Sequence, residues 1–559
     1  MSAPTTEIRT QWTTSFTDEL TTGTWRAAIP VHAYKPSPCH VACPVSNGMP
    51  GWIKAIGEGA YQQAWLSLVD TNPFPATTGR VCHHPCESEC NRTVLEGAVG
   101  INGLEHFLGD QALAAGWALP PAGESTGKRV AVVGAGPAGL SCAYHLRRLG
   151  YDVTVLESRE KPGGLLRYGI PEYRLTEEVV DKEIQRIVDL GVEIRTNAPV
   201  ADPESLERLR GEYDAVFLAV GAQRAKRLGH LDDAGGPARV IDGLEYLRRS
   251  SAGEDLGLGQ RVVVIGGGSA AIDVARTARR QGKSVTLMSL ETRNIMPAQD
   301  EEVFEALEEG VTLVDGAMAA SATLTEECLN LECTLVTLDT EAPVGVLRPM
   351  PVEGSGFAVE ADSVIMAIGQ DPDLTAFAAV PAAGGGTIQV DMASGATGLP
   401  GVFAGGDVAS QYRYVSAAIG AGRRAAWGIA ASLGHPSAEV LPHLDLKQAV
   451  QKEEINAFYF PPAERTEKER TGAAERLLGF AEVAKAFSVD QAAHESARCM
   501  SCGLCVECDN CFVFCPDTAI KKDADRPEHY AILEQYCKGC GLCVAECPRG
   551  AVHLEAVAR

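Results

Sequence analysis

The chain has 559 residues, enough for about three or four domains of common size. Acidic residues outnumber basic ones by 73 to 49, and the net charge of −24 argues against nucleic acid or an anionic membrane as partner. No apolar run is long enough for a membrane span, and the first 20 residues lack the apolar centre of a secretory signal. We therefore expect a cytoplasmic protein, in which 18 cysteines suit metal binding better than disulfides.

The N-terminal cysteines lie in a region with the apolar spacing of helices. We expect residues 1–120 to form a helical iron–sulfur domain with one or two 4Fe-4S clusters, a zinc site being the alternative. His83 and His84 lie among these cysteines and are interpreted as exposed turn residues. The candidate ligands are Cys39, Cys43, Cys82, Cys86 and Cys90.

Residues 128–157 contain a complete dinucleotide-binding fingerprint, with a strand, a glycine-rich turn, a helix and a second strand. Gly134 permits the tight turn, Gly136 lets the backbone approach a pyrophosphate, and Gly139 lets the helix close on the strand. The helix N-terminus then holds the phosphates, and Glu157 can accept hydrogen bonds from a ribose. The candidate cofactor-binding residues of this first fold are Gly134, Gly136, Pro137, Ala138, Gly139 and Glu157.

A second fingerprint follows the apolar strand 262–265 and precedes a helix over 272–281. Its second strand ends in Glu291, and an acid at that position binds a free ribose 2′-hydroxyl and repels a 2′-phosphate. The sequence therefore favours NAD(H) over NADP(H), although the nearby Arg293 keeps NADP(H) as the alternative. The candidate residues of this second fold are Gly266, Gly268, Ser269, Ala270, Ala271 and Glu291.

Three further apolar segments are interpreted as strands of these two folds. Residues 214–221 and 362–369 each end in a glycine and are expected to be the return strands of the first and second fold. Residues 401–407 form a strand that ends in an acid, and a helix is expected over 415–433. The candidate cofactor-binding residues here are Gly221, Gly369, Gly406 and Asp407.

The last 60 residues are a self-repeat, in which residues 498–506 match 536–544 and a Cys-Pro follows each copy. This is the bacterial two-cluster ferredoxin pattern, in which each cluster takes its fourth ligand from the other repeat. One predicted ligand set is Cys515, Cys537, Cys540 and Cys543.

The second cluster of the tail includes Cys547, but its other three ligands stay open because the first repeat has six cysteines. Counting back from Cys515 selects Cys505, Cys508 and Cys511, whereas matching the repeats selects Cys499, Cys502 and Cys505. A third possibility is Cys499, Cys502 and Cys511.

With these motifs in place, the chain resembles the small subunit of bacterial glutamate synthase and the wider group sharing that module, including the N-terminal half of dihydropyrimidine dehydrogenase. The likeness covers residues from about 38 to 436 and rests on CPVSNGMPGWI, NPFPATTGRVCHHPCESEC, VGAGPAGL, GGLLRYGIPEYRL, VVVIGGGSAAIDVAR, MPAQDEE and GVFAGGDV. It implies FAD in the first fold, a nicotinamide dinucleotide in the second and cubane clusters in the N-terminal domain. The resemblance also implies FAD contacts from Gly163, Gly164, Leu165 and Asp407.

Three departures from the family pattern carry information. The family usually has Tyr-Arg-Arg at residues 289–291, where this chain has Ser-Leu-Glu, and the loss of the arginines favours NADH. Two cysteines usual before Cys39 are absent, so one N-terminal cluster lacks ligands. The ferredoxin tail is not part of the plain small subunit. It resembles tails of related iron–sulfur flavoproteins, such as the one serving dissimilatory sulfite reductase, and the ferredoxin subunit of 2-oxoacid:ferredoxin oxidoreductases.

The resemblance also suggests a ligand set for the other N-terminal cluster. Glu105 lies where dihydropyrimidine dehydrogenase places a glutamine ligand. The implied set is Cys43, Cys82, Cys86 and Glu105.

The predicted fold class is α/β, with two Rossmann-like dinucleotide-binding domains for FAD and NAD(P)H, an α-helical N-terminal iron–sulfur domain and a C-terminal bacterial ferredoxin-like α+β domain. The expected boundaries are 1–120 for the N-terminal domain, 128–238 and 369–436 for the two parts of the FAD domain, 239–368 for the NAD(P)H domain, 437–496 for a helical linker and 497–559 for the two-cluster ferredoxin domain.

We therefore predict an electron-transfer flavoenzyme that moves electrons between NADH, or NADPH, and a ferredoxin or partner redox enzyme through FAD and 4Fe-4S clusters. No side chain is expected to be catalytic, because the cofactors carry out the chemistry. The protein is expected in a hetero-oligomer such as a 2-oxoacid:acceptor oxidoreductase or a sulfite reductase system. The alternative is a true glutamate synthase small subunit that supplies electrons to a separate large subunit.

Overall fold

The computed structural model describes residues 26–32, 35–236, 239–339, 347–436, 444–523 and 530–557, together with Gly23 and Asp525. The first 20 residues, to which the prediction about a secretory signal refers, and residues 437–443 of the predicted linker lie outside the described residues. No helix within the described ranges combines the length and the apolar character needed to cross a membrane.

The N-terminal region is helical, as predicted. Proline occupies the first turn of four of its helices, where the missing N–H costs no hydrogen bond. The last helix packs tightly on an earlier one through Gly79, at which a Cβ would lie 2.4 Å from the Cα of His106. The helices are Pro38–Ala42, Met49–Gly57, Tyr61–Val69, Pro75–Val81, Pro85–Ser88 and Ile101–Ala115, with a 3-10 turn at Asn91–Val94.

The first nucleotide-binding unit has a five-stranded parallel sheet at its centre. Its middle strand, Arg129–Val133, pairs with the predicted return strand Ala215–Leu218, and four of its five residues are buried. Helices cover the sheet, as continuous apolar strands require. The strand order is Val402–Ala404, Ala215–Leu218, Arg129–Val133, Asp152–Leu156, Glu193–Arg195. The helices are Pro137–Arg148, Leu165–Tyr168, Glu177–Asp189, Pro203–Glu212 and Val415–Ser432, with 3-10 turns at Thr375–Phe377 and Gly406–Val408.

The second unit repeats this architecture. Its return strand, Ser363–Met366, pairs with Arg261–Ile265 as predicted. The strand order is Thr312–Val314, Ser284–Met288, Arg261–Ile265, Ser363–Met366, Val240–Asp242. The helices are Gly229–Gly235, Gly243–Ser251, Ser269–Arg280 and Asp300–Glu308, with a 3-10 turn at Arg293–Ile295. An antiparallel insert has strands Ala317–Leu324, Leu329–Leu338, Pro349–Pro351 and Phe357–Ala361, and a short ribbon pairs Arg224–Ala225 with Gln370–Asp371.

The described part of the predicted linker, 444–496, is mostly irregular chain held by ion pairs to earlier residues. Arg465 pairs with Glu87, and Glu482 pairs with Arg80. These contacts take the place of a separate helical core. The regular elements are 3-10 turns at Leu446–Gln448, Lys452–Glu454 and Ala457–Tyr459, and helices Ala473–Arg476 and Val489–Ala497.

The C-terminal segment is a small α+β unit that closes on the beginning of the described chain. Its last strand, Val552–Ala556, pairs antiparallel with Ala28–His32, so that Ala556 lies opposite Ala28. The other elements are strands Ile520–Lys522 and Tyr530–Ile532, which pair with each other, and helices Asn510–Val513 and Leu542–Ala545.

Candidate functional site

A cavity of about 510 Å³ lies where the two nucleotide-binding units meet. The carboxyl ends of the first sheet's strands form one wall, and the start of the helix Ser269–Arg280 forms another. Cofactors of open α/β sheets bind at this edge of the strands. The predicted residues that line the cavity are Gly134, Gly136, Pro137, Ala138, Glu157, Gly164, Leu165, Gly221, Ser269, Ala270 and Asp407. The predicted residues outside its lining are Gly139, Gly163, Gly266, Gly268, Ala271, Glu291, Gly369 and Gly406.

The three glycines of the first fingerprint have different surroundings. Gly134 has a φ of +106°, and a Cβ there would lie 2.4 Å from the carbonyl oxygen of Ala219. A Cβ on Gly139 would lie 1.9 Å from the carbonyl oxygen of Gly134. On Gly136 the nearest atom would be the Cα of Gly164, 3.9 Å away. Packing of the protein therefore requires the outer two glycines, whereas Gly136 leaves its backbone open toward the cavity, as a bound pyrophosphate needs.

Glu157 ends the second strand of the first unit and is buried in the cavity wall. Its Oε2 accepts a hydrogen bond from the backbone N–H of Ala135 at 2.9 Å, and its Oε1 accepts one from that of Arg159 at 2.9 Å. A carboxylate has about four acceptor positions, so a ribose hydroxyl can still donate to it. Asp407 faces the same cavity, and burial raises the pKa of its carboxyl to about 6. These residues fit an FAD site.

The second fingerprint has the same local geometry. Gly266 has a φ of +143°, and a Cβ there would lie 2.3 Å from the carbonyl oxygen of Ala367. Gly268, like Gly136, has open space where a Cβ would be. Ser269 and Ala270, which follow it, reach the cavity of the first unit. A dinucleotide on this loop would therefore extend toward a flavin in the cavity.

Glu291 lies against the glycine loop of the second unit. Its Oε2 accepts a hydrogen bond from Ser289 Oγ at 2.7 Å and would be 2.6 Å from a Cβ on Gly267. The carboxylate is thus placed to accept hydrogen bonds from the ribose of a bound dinucleotide. The side chain of Arg293 forms an ion pair with Asp300 at 2.7 Å.

Two residues of the cavity wall escaped prediction. His83, expected as an exposed turn residue, is half-buried, packs on the ring of Tyr414 and has its Nε2 3.2 Å from Ser269 Oγ. Burial lowers the pKa of His83 to about 4. Arg174 forms a buried ion pair with Asp273 at 2.7 Å, and both line the cavity. His83 and Arg174 both lie within segments that carry the family resemblance, but only the packing of distant elements places them in the cavity wall.

The implied N-terminal ligand set comes together. Cys43, Cys82 and Cys86 are neighbours, and Glu105 extends toward them from the helix Ile101–Ala115. Burial and, to a smaller extent, the neighbouring Glu105 and Cys43 together raise the pKa of Cys82 to about 12. Burial likewise raises the pKa of Glu105 to about 7, although its Oε1 accepts hydrogen bonds from Thr78 at 2.8 Å and from Asn72 at 2.9 Å. The donor set is that of a 4Fe-4S cluster with one oxygen ligand.

This ligand set adjoins the large cavity. Cys82 lies between Val81 and His83 in sequence, and both neighbours line the cavity. The carbonyl oxygen of Cys82 accepts a hydrogen bond from Gln299 Nε2 at 3.2 Å, which ties it to the second nucleotide-binding unit. A cluster bound by Cys82 would therefore adjoin the cavity, because both sequence neighbours of Cys82 line it.

The tail contains two small cavities, each lined by four cysteines drawn from both repeats, which fits the two-cluster ferredoxin pattern. One set is Cys515, Cys537, Cys540 and Cys543, as predicted. The other is Cys505, Cys508, Cys511 and Cys547, which corresponds to the first of the three predicted alternatives.

Four of the predicted cysteine ligands remain, and they line one further cavity although they come from opposite ends of the chain. They are Cys39, Cys90, Cys499 and Cys502. In the described part of the chain, no three His, Cys, Asp or Glu side chains lie close enough together to share a single metal ion. The ligands of a 4Fe-4S cubane lie further apart than those of a single ion, because the four thiolates surround four irons.

Comparison with known families supports this reading of the fold. The model of the pyridine nucleotide-disulphide oxidoreductases matches residues 128–422, which is more than half of the chain. A model of dihydropyrimidine dehydrogenase domain II with a 4Fe-4S cluster matches residues 28–117, and one of 4Fe-4S dicluster domains matches residues 504–551. The chain belongs to the pyridine nucleotide-disulphide oxidoreductase family.

Among individual relatives, the beta subunit of the NADP(+)-dependent formate dehydrogenase of Moorella thermoacetica is 35% identical over 506 residues, which cover 84% of this chain and 71% of that protein. The beta subunit of the NADPH-Fe(3+) oxidoreductase of Geobacter sulfurreducens is 34% identical over 507 residues, covering 83% and 75%. The small chain of the NADPH glutamate synthase of Azospirillum brasilense is 36% identical over 416 residues, covering 70% and 85%.

These findings confirm the predicted resemblance, the fold class and the oxidoreductase activity. The chain is an NAD(P)H-dependent flavoprotein subunit with 4Fe-4S domains that acts in electron transfer.

Proposed function

We propose that the protein exchanges electrons between NADH and a partner redox subunit or a ferredoxin. The nicotinamide would bind at the second fingerprint, FAD would bind in the 510 Å³ cavity, and the ferredoxin-like tail would meet the partner. The observation that supports this most directly is the position of Cys82, between two residues of the flavin cavity wall. It starts a series of cysteine groups that continues to the tail.

The residues of the chain have defined roles in this scheme. Gly136 and the N-terminus of the helix Pro137–Arg148 would hold the FAD pyrophosphate, and Glu157 the ribose. Ser269 and Ala270 would bring the second dinucleotide to the same cavity. When bound, FAD supplies the exchange between a two-electron hydride and single electrons. The buried apolar walls exclude water from this exchange.

The tail has the features of an exit surface. Cys508 and Cys540 are exposed. Phe512, Val513 and Phe514 are also exposed, beside Cys511. Clustered exposed apolar side chains are typical of protein interaction sites, and the short path from cysteine to surface suits single-electron exchange with a docked partner.

The nature of the partner is the finer part of the proposal. The relatives above are named as subunits of formate dehydrogenase, an Fe(3+) oxidoreductase and glutamate synthase. They support a hetero-oligomer, and a ferredoxin-dependent partner such as a 2-oxoacid oxidoreductase or a sulfite reductase agrees with the tail.

Anaerobic rapid mixing of the protein with NADH tests the proposed order of electron transfer. We expect NADH to bleach the flavin absorbance first and the broad iron–sulfur absorbance afterwards, because the flavin cavity adjoins the Cys82 group. A protein that contains both cofactors but whose flavin does not respond to NADH or NADPH would contradict the proposal.

The preference for NADH rests on Glu291 and can be tested by substitution. Replacing Leu290 and Glu291 together with arginine should shift the ratio of kcat/KM values toward NADPH by about tenfold or more, because a repulsive charge becomes an attractive one. Glu291→Gln should produce a smaller shift in the same direction. Equal ratios in all three proteins would mean that Glu291 does not face the ribose, and Arg293→Gln serves as the control because that side chain pairs with Asp300.

A further inference from the structure

Four predicted cysteine ligands lie outside the three sets described above and suggest a fourth centre. Cys39 and Cys90 belong to the N-terminal helical region, and Cys499 and Cys502 belong to the segment before the ferredoxin-like tail. The matches to the two iron–sulfur families end at residue 117 and begin again at residue 504, so neither includes Cys499 or Cys502. The N-terminal region has five cysteines, of which three belong to the set with Glu105, so Cys39 and Cys90 are two short of four ligands.

We propose that Cys39, Cys90, Cys499 and Cys502 together hold one 4Fe-4S cluster between the N-terminal region and the C-terminal segment. The two cysteines of the C-terminal segment would replace the two that the N-terminal region lacks. Nothing in either segment alone provides four ligands for this centre.

The four side chains share one cavity with apolar walls. Its lining includes the four cysteines and, among others, Pro38, Pro50, Ile53, Val99, Ile101 and Met500. Cys90, Cys499 and Cys502 are all close to Cys39, so four buried thiols are grouped here. A cluster binds thiolates, so iron would offset this unfavourable grouping.

Polar groups surround the sulfurs as they do in iron–sulfur proteins, where hydrogen bonds to sulfur tune the potential. The backbone N–H of Ser501 donates to Cys499 Sγ at 3.4 Å, and Asn91 Nδ2 donates to Cys502 Sγ at 3.6 Å. Ser37 Oγ lies 3.1 Å from Cys39 Sγ. The Asn91 contact crosses between the two segments.

The two segments are fixed together at this point by buried charges. Arg498, directly before Cys499, is 1% exposed and donates to the carbonyl oxygens of Gly97 at 2.8 Å and Ala98 at 3.0 Å. Arg92, two residues after Cys90, donates to the carbonyl oxygen of Arg498 at 3.1 Å. Both arginines thus hold the backbone beside a proposed ligand.

Glycine allows the closest approach. Gly503 follows Cys502 with a φ of +75°, and a Cβ there would lie 1.9 Å from the carbonyl oxygen of Lys35. The C-terminal segment therefore passes directly against the chain that leads to Cys39.

The proposed centre would connect the flavin side to the tail. Cys39 and Cys43 belong to adjacent groups. Cys39 lies on the helix Pro38–Ala42 and Cys43 follows its end, four residues further on, which is roughly 6 Å along the helix axis. Cys502 and Cys505, on the other side, are three residues apart, at most about 11 Å of extended chain. One electron would enter from the Cys43 group and leave to the Cys505 group, with no bond made or broken. Only this role as a relay rests on the proposed function.

Iron content tests the ligand assignment in the full chain, purified anaerobically. The variants are Cys39→Ser with Cys90→Ser, Cys499→Ser with Cys502→Ser, and all four together. Each should lose the same four irons, from about 16 to about 12 per chain, since all remove one cluster. A loss of about eight irons in the fourfold variant, or no loss in a double variant, would overturn the proposal. Cys328→Ser, a substitution outside all four cysteine groups, is the control and should leave the iron content of the protein unchanged.

Single substitutions cover the case in which the double variants do not fold. Cys39→Ser and Cys502→Ser, which lie on opposite sides of the proposed centre, should alter the same resonance in electron paramagnetic resonance spectra of the reduced protein. Changes in two different resonances would refute a shared cluster. Bleaching of the flavin by NADH in the same samples reports separately on the proposed function.

Discussion

Gly136→Ala is expected to give a folded protein that has lost most of its FAD. A Cβ at this position has no protein atom closer than 3.9 Å, and the backbone angles suit alanine. The methyl group would instead occupy the space that the pyrophosphate needs. We expect the FAD content of the purified protein to fall by about tenfold or more, with a circular dichroism spectrum like that of the parent. Unchanged flavin content would show that the pyrophosphate does not lie on Gly136.

Gly139→Ala, three residues further along, should instead destabilise the fold itself. Its Cβ would be 1.9 Å from the carbonyl oxygen of Gly134, a clash that pushes the helix away from the strand. The free energy of unfolding should fall by about 3 kcal/mol or more, with flavin loss as a consequence. Gly211→Ala, on an exposed helix with no neighbouring atom, is the matched control and should leave stability and FAD nearly unchanged.

The second large effect is expected from Cys82→Ser, which alters the iron–sulfur group next to the flavin cavity. NADH should still bleach the flavin at a normal rate, because neither fingerprint is touched. The reduction of the tail clusters should slow by about 100-fold, since the first relay is lost or altered. Stopped-flow absorbance in the flavin and iron–sulfur ranges separates the two steps.

The control for this variant is Cys540→Ser, which removes an exposed ligand of the tail set that lies farthest along the series. It should slow electron delivery to an external ferredoxin and leave the reduction of the N-terminal cluster intact. A Cys82→Ser protein whose tail clusters are reduced as fast as in the parent would mean that electrons reach the tail by another route.

The sequence predicts the nucleotide-binding parts well because their signals are local. Gly134, Gly139 and Gly266 have positive φ angles or close backbone contacts that few other residues tolerate. The strand that precedes and the helix that follows are each encoded within a dozen residues. The two return strands, at Ala215–Leu218 and Ser363–Met366, were predicted from the same kind of local pattern.

The grouping of the cysteines depends on contacts that no local pattern records. Cys90 and Cys499 meet because contacts such as those of the buried Arg498 hold its segment against residues 97 and 98. His83 lines the flavin cavity because the loop that carries it, between the helices Pro75–Val81 and Pro85–Ser88, contacts Ser269 of the second nucleotide-binding unit. The segment 444–496 is irregular for a related reason, since its charged side chains find partners on other parts of the chain.

The strand Ala28–His32 pairs with Val552–Ala556, and a Cβ on Gly539 would lie 2.1 Å from the carbonyl oxygen of Ala28. The electron carrier at the end of the chain is therefore anchored and cannot swing between donor and acceptor on a tether. Passage of electrons within the protein should not depend on solvent viscosity, so glycerol should leave it unchanged. Glycerol should slow only the encounter with a separate acceptor, which must diffuse to this fixed surface.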